Sequence, residues 1–291
     1  EDSILMKIKQ VIGTAHFGLK NYGVANFYQK KNFQIINILE KAYESGIKYF
    51  DTAPEYNSEK ILGEFCKMNK LQKKIKIITK IPNLIASKNY RDQALRSIEK
   101  SMKSLNVENI FCILMHNQFD INRIVNDENF FLKIRKEFNI KKFGFSVYDL
   151  NVTKKILNIF PNASLQFPYN IVNNDFKGLN KNKNLFFGRS IFLQGFLINE
   201  KIKKMKKNLL ESHKEYFDYV KNKKINPLEL CLDYSYANKN LDFIVYGVNN
   251  VDQLKKITNY NPRKKINANI IKKINSFFKK DKLDPRSWNM K

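Results

Sequence analysis

Acidic residues are scarce in this chain. Only 27 Asp and Glu stand against 53 Lys and Arg in 291 residues, a formal charge of +26 at pH 7. Such an excess ordinarily raises nucleic acid or an anionic membrane as a partner. Here the lysines are spread through the chain beside abundant Asn, Ile and Phe, a pattern that A+T-rich coding produces without selecting a binding face. Clusters such as Lys203, Lys204, Lys206 and Lys207 read as solvated faces or loops, and no specific nucleic-acid partner is expected. A positive field still favours encounter with phosphorylated ligands. Cysteine is also scarce: Cys66, Cys112 and Cys231 are far apart and form no CxxC pair, which argues against a zinc site or a disulfide framework. A reduced, cytoplasmic compartment is expected. No apolar run approaches the roughly 20 residues of a membrane span, and the amino terminus has no signal-peptide core. The chain opens Glu1-Asp2 rather than with Met, consistent with a trimmed start. Pro/Gly-rich hinges and low-complexity blocks are missing too, so one domain over residues 1–291 is expected.

What is present is an alternation of apolar runs and helical spacing. Strands are predicted at Val11 to Phe17, Ile47 to Asp51, Ile75 to Lys80, Ile110 to His116, Lys142 to Ser146, Ala163 to Gln166, Leu185 to Leu193 and Phe243 to Tyr246. Between them lie segments such as Ile36, Leu39, Ala42 and Tyr43, or Ile98, Met102 and Leu105, spaced as on one face of a helix. Continuous apolar strands between amphipathic helices imply a parallel sheet covered on both faces. A doubly wound open sheet is the main competitor. Eight units with no GxGxxG after the first strand favour a closed (β/α)8 barrel.

Four polar residues sit at the carboxyl ends of these runs: Asp51, Tyr56, Lys80 and His116. In a parallel barrel such ends converge on one rim. A phenol has an ordinary pKa near 10, and an adjacent ammonium lowers it. Lys80 is placed to supply that charge, and Asp51 on the neighbouring strand to serve as its counter-ion. His116 reaches the same rim and suits a hydrogen bond to a substrate oxygen. Taken singly, an Asp or Lys at a strand end is ordinarily a cap or an ion pair. Together the four make a proton-donating, oxyanion-stabilising site suited to carbonyl reduction.

The stretch DTAPEYNSEKILGE, Asp51 to Glu64, with Asp51 and Tyr56 five apart and Lys80 and His116 closing the next two strands, resembles the aldo-keto reductase family over nearly the whole chain. The resemblance implies that Tyr56 is the general acid, Lys80 and Asp51 tune it, and His116 orients the substrate. Asn57 stands where the family usually has Gly, and Asn is the other residue that best tolerates positive φ. Further likenesses extend to a nicotinamide cofactor. Gly13 and Thr14 in GTAHFG correspond to residues near the nicotinamide ribose. Ser146 and Gln166 correspond to carboxamide ligands, with Val147 replacing the usual Asn. Arg189, Ser190, Gln194 and Gly195 in GRSIFLQGFL correspond to the nicotinamide-stacking and pyrophosphate segment. Gly247, Val248, Asn249 and Gln253 in YGVNNVDQLKKI match the adenosine-phosphate segment, where free amides at a helix start suit phosphate oxygens. Gln253 replaces a common Arg, Ile257 replaces a common Asn near the adenine, and Lys255 and Lys256 are candidate substitutes. The resemblance favours NADP(H) over NAD(H).

GTAHFGLKNYGVAN, SIFLQGFL and LDPRSWN are similar to bacterial members linked to surface-polysaccharide and nucleotide-sugar pathways. They imply a small-molecule substrate with a sugar or sugar-derived carbonyl, and a phosphate or nucleotide handle on it suits the basic charge of the chain. His16 is a candidate substrate contact, with a structural histidine as the other reading. Trp288 is expected to pack over the barrel or to cover the pocket mouth. A catalytically weak NADP(H)-binding sensor or partner-binding barrel is the alternative function.

Overall fold

The computed structural model describes residues 8–20, 22–24, 30–85, 87–181, 183–202, 205–262, 266–279 and 283–288. Glu1, Asp2, Lys203 and Lys204 lie outside the described residues. Eight strands, β1 (Lys9–Gly13), β2 (Tyr49–Asp51), β3 (Lys76–Ile81), β4 (Cys112–Met115), β5 (Lys142–Ser146), β6 (Ser164–Pro168), β7 (Leu185–Arg189) and β8 (Phe243–Tyr246), pair in parallel in chain order. β1 closes on β8, with Val11 beside Val245, to complete a single (β/α)8 barrel. The helices are α1 (Ala15–Gly18), α2 (Asn32–Glu44), α3 (Glu59–Met68), α4 (Tyr90–Leu105), α5 (Ile121–Asn126), α6 (Glu128–Glu137), α7 (Leu150–Ile159), α8 (Lys207–Asn222), α9 (Pro227–Tyr236), α10 (Val251–Thr258) and α11 (Ala268–Ser276).

Strand side chains alternate between faces, so the register decides what enters the barrel. One phase, Val11, Ile78, Cys112, Leu114, Phe187, Phe243 and Val245, forms a single interior cluster. The Phe187 and Phe243 rings stack with centroids 4.4 Å apart and fill the barrel as packed core rather than pore. The other phase, including Ile12, Phe50, Ile77, Ile113, Phe145 and Leu165, packs outward against the helices. Burial on both faces is why the strands read as unbroken apolar runs. Carried to the carboxyl ends, the inward phase becomes polar: Gly13, Asp51, Lys80, His116, Ser146, Gln166, Arg189 and Gly247. The same periodicity that fills the barrel delivers these residues to one rim.

α4 buries Ala94, Ile98, Ser101 and Leu105 at helical spacing and ends at Asn106 in the left-handed conformation. α3 lays Ile61, Leu62 and Phe65 against the core, each buried large apolar side chain stabilising by about 1.5–3 kcal/mol. The two helices approach at Gly63, where an added Cβ would lie 2.0 Å from the Ser104 carbonyl oxygen. Gly63→Ala is therefore expected to destabilise the barrel by about 1–3 kcal/mol. Urea denaturation reads this directly, and an unchanged midpoint would mean that α3 and α4 separate at no cost.

Two predicted strands run too far. The first ends at Gly13 rather than Phe17, because Thr14 turns the chain into α1. The seventh ends at Arg189 rather than Leu193, because Ser190 takes φ 57°. In both cases the apolar run continues because the loop is buried: Ala15, Ile191 and Leu193 are all in the core. Lys206 and Lys207 are exposed, as expected of a solvated segment. The three cysteines are free and buried, and burial pushes the Cys66 and Cys112 thiols up to about 12. Among the described residues no helix is long and apolar enough to cross a membrane.

Candidate active site

β2 delivers Asp51, and the chain then turns through a short 3-10 segment, Pro54–Tyr56, that lifts Tyr56 over the rim. Asn57 follows with φ 56°, the left-handed conformation expected of a residue in a glycine position. Ser58 ties this turn down: its Oγ lies 2.7 Å from Thr14 Oγ1 and 3.1 Å from Thr52 Oγ1. α1 presses on the same turn through Gly18, where a Cβ would meet the Tyr56 carbonyl oxygen at 2.1 Å. The turn carrying Tyr56 is thus held by the Ser58 hydroxyl bonds and by the close approach of α1 at Gly18.

Lys80 is 1% exposed, and its ammonium donates to Asp51 Oδ1 (2.9 Å), Asp51 Oδ2 (3.0 Å) and the Thr52 carbonyl (2.9 Å). Three acceptors match the three donors of an ammonium, so the buried charge is fully satisfied. Its Nζ also stands 4.8 Å from the centre of the Tyr56 ring. The ring of His116 meets that of Tyr56 edge-on at 5.9 Å, and the His116 amide donates to the Ile81 carbonyl at 2.9 Å, continuing the β3–β4 pairing to the rim. The four sequence-derived residues therefore form one cluster. The expected tuning is reversed in the free protein: burial, then the Asp51 charge, pushes the Tyr56 phenol well above its ordinary range, with Arg189 opposing. Burial and the Asp51 charge thus favour the protonated phenol, while the Lys80 ammonium is gripped by the same carboxylate.

A cavity of about 1000 Å³ opens beside this cluster, with Asp51, Tyr56 and His116 at one end and Asn249, Asn250 and Gln253 at the other. Gly13, His16, Ser146, Arg189, Ser190, Gln194, Gly195 and Gly247 also line it. Thr14, Gln166 and Val248 do not: each is buried behind the wall, although the resemblance had set them against a nucleotide. Thr14 Oγ1 donates to the Asp51 carbonyl at 3.0 Å, and Gln166 Nε2 donates to Asp51 Oδ1 at 2.7 Å. Both act on the Asp51 segment. The Val248 carbonyl bonds His16 Nε2, and burial holds that imidazole neutral, with a pKa lowered to about 3. His16 thereby joins α1 to the end of β8.

The loop after β7 departs from extended backbone at Ser190, Leu193 and Gln194, all with positive φ, and Gly195 at φ 89° completes the turn. Non-glycine residues in this region cost about 1–3 kcal/mol each. The Gln194 carbonyl accepts from Val24 N at 3.1 Å, which helps hold the conformation. Past β8, Asn250 caps α10 by accepting from Gln253 N, while Gln253 Oε1 accepts from Asn249 N at 2.7 Å. Gln253 is thus committed to a capping role. Lys255 and Lys256 face solvent, and Ile257 is core. A cation arrives instead from Lys30, whose ammonium donates to Asn249 Oδ1 at 3.3 Å.

Several site residues escaped sequence reasoning. Glu55 pairs with His116 Nδ1, which directs the other ring nitrogen away from the carboxylate, and His116 in turn holds the Glu55 carboxyl below its ordinary value. Tyr22, Tyr148, Lys30 and Arg286 line the cavity. All come from turns or loops, where no periodic signal marks a side chain. Trp288 packs on Phe196, ring centroids 5.3 Å apart, and is not among the cavity-lining residues.

The donor set fits a nicotinamide dinucleotide. Ser146 offers a hydroxyl near the Tyr56 end, and Lys30 with the amino terminus of α10 offers positive potential at the far end. Comparison with solved structures agrees with the architecture. An aldo-keto reductase from Bacillus halodurans, in its holo form, superposes with a TM-score of 0.71 at 18% identity, covering 94% of this chain and 92% of that one. A glycerol dehydrogenase from Gluconobacter oxydans gives 0.68 at 15% identity, covering 92% and 90%. No curated protein matches by sequence. The model of the Aldo/keto reductase family matches residues 10–279. With that match over a closed barrel carrying this rim cluster, the chain belongs to the aldo/keto reductase family, whose members are oxidoreductases that carry out NAD(P)H-dependent carbonyl reduction.

Proposed function

We propose that the 291-residue chain works as one reductase domain that reduces an aldehyde or ketone to an alcohol, with Tyr56 as general acid and NADP(H) as the preferred cofactor. The observation that carries the reading is the cluster of Asp51, Lys80, Tyr56 and His116, with Lys80 4.8 Å from the ring of Tyr56, which lines the cavity. When bound, the reduced nicotinamide supplies the hydride to the carbonyl carbon. His116, fixed by Glu55, hydrogen-bonds the carbonyl oxygen and orients it. Charge developing on that oxygen makes it a stronger base than a phenolate, and Tyr56 then yields its proton. The Lys80 ammonium stabilises the phenolate left behind. Buried Asp51, held by Gln166, keeps that ammonium in place. A sugar-derived carbonyl is the proposed substrate type, supported by the wording of GTAHFGLKNYGVAN and SIFLQGFL. Deuterium transfer tests the chemistry: reduction with cofactor deuterated at the transferring position is expected to leave one deuterium on the carbinol carbon. Product carrying none would reject direct transfer, and nucleotide binding without any turnover would favour the sensor reading.

Lys30 supports the NADP(H) preference. It is half-buried, its ammonium is held below its ordinary value by burial, and it meets Asn249 where Gln253 is already committed. A phosphate there gains a charge-assisted bond worth about 1.5–3 kcal/mol. Lys30→Gln is expected to weaken NADPH by roughly tenfold or more and NADH by much less. Equilibrium fluorescence titration measures both, and equal losses would remove Lys30 from phosphate recognition.

A further inference from the structure

Arg189 stands at the carboxyl end of β7, part-buried and lining the cavity, where it lies among tyrosines. Among the described residues its Nη2 is sealed from solvent without a hydrogen-bond partner, and its Nη1 donates to Ser190 Oγ at 3.5 Å. Among the described residues no carboxylate lies within ion-pairing distance of it. A guanidinium nitrogen sealed from water without a hydrogen-bond acceptor is costly, and it remains so until an acceptor such as an anion arrives. A second guanidinium comes from near the carboxyl terminus. Arg286, in the 3-10 segment Pro285–Ser287, lies 3.4 Å from the centre of the Tyr148 ring, and Arg189 lies 4.1 Å from the same centre. Asp284 compensates Arg286, accepting from its Nε at 2.9 and 3.0 Å and from its Nη2 at 2.5 Å. Arg189 also acts on the Asp284 carboxyl, so among the described residues two guanidiniums share one carboxylate and one positive charge is left in excess beside Tyr148.

Arg189 closes β7 on the rim that also carries Asp51, Lys80 and His116 and lines the same cavity as Tyr56, and its charge is felt by the Tyr56 and Tyr22 phenols, whereas Lys30 meets Asn249 past β8. We infer that the carbonyl substrate bears an anionic group, a carboxylate or a phosphate, received by Arg189 and Arg286 beside Tyr148. The inference rests on the carbonyl-reduction reading above and narrows its substrate class. A guanidinium offers forked N–H donors that match either anion, so the shared chemistry is the anion itself.

The test compares matched carbonyls with saturating NADPH: succinic semialdehyde against butyraldehyde for a carboxylate, and glyceraldehyde 3-phosphate against glyceraldehyde for a phosphate. In at least one pair the kcat/KM ratio of anionic to neutral member is expected to be about ten or more, and the responding pair identifies the anion. Arg286→Gln should cut that ratio about tenfold. Asp284→Asn, which retains an acceptor for the Arg286 amide but removes the counter-charge, should raise it, an outcome that a purely structural role for the segment does not produce. Ratios near one, or ratios that ignore both substitutions, would overturn the inference while neutral-carbonyl turnover left the reductase reading intact. If no carbonyl in any pair is reduced, the reductase reading fails instead. Titration calorimetry of the full chain with succinate and with inorganic phosphate then decides the anion site: binding lost in Arg286→Gln sustains it, and no binding overturns it.

Discussion

Replacing Tyr56 with Phe is expected to lower turnover by about 100- to 10,000-fold while leaving NADPH affinity essentially unchanged. The phenol is the acid in this account, and the substitution removes one oxygen without disturbing what positions the ring. Contacts of the ring with Lys80 at 4.8 Å and with His116 at 5.9 Å are made by its carbon frame. The turn carrying it is held through Gly18, Ser58 and Thr14, none of which touches the hydroxyl group. The loss should fall on kcat, because the proton is needed only as charge develops in the transition state. A Phe variant with full activity would assign the acid elsewhere; His116 would then be next in line.

Replacing Lys80 with Met should both abolish useful turnover and destabilise the protein. Asp51 would keep the Gln166 amide but lose the ammonium that now meets both its oxygens. Removing one member of a buried pair costs about 3–5 kcal/mol, because the other is left charged and uncompensated. In a chain of this size that lowers the melting temperature by roughly 6–20 °C. Adding Asp51→Asn to Lys80→Met removes the stranded charge, so the double variant should regain stability relative to Lys80→Met and remain inactive. Calorimetric melting of the four proteins forms the cycle. Additive losses would mean that Lys80 and Asp51 are not coupled through their contact.

The barrel was legible because burial on both faces of a parallel sheet writes itself into composition. Lys142–Ser146 and Phe243–Tyr246 are strands with the bounds their apolar runs predict. The same signal overran at Phe17 and Leu193, where a buried loop is as apolar as a strand. The rim cluster was legible because alternation along three strands places Asp51, Lys80 and His116 at their ends, with Tyr56 five residues past Asp51. What the structure adds comes from residues whose position depends on turns: Glu55 reaches His116 only because Pro54–Tyr56 coils into a 3-10 segment, and Arg286 reaches Tyr148 from a distant part of the chain. Gln166 shows the opposite limit. Its place at the rim was readable, but its partner is Asp51, because a buried carboxylate at 2.7 Å takes its amide donor. The direction of the Tyr56 shift was hidden too: it depends first on how deeply the turn buries the phenol and then on the nearby Asp51 charge.

Carbonyl reduction at the Tyr56 end of the cavity is the central claim, and one titration tests it most directly. Protein fluorescence is followed as NADPH and then NADH are added, and a panel of aldehydes and sugar carbonyls is supplied in the same cuvette. The account predicts saturable binding, tighter for NADPH, followed by carbonyl-dependent oxidation of the bound nucleotide. Failure to bind either nucleotide, or binding with no oxidation across the panel, would contradict it.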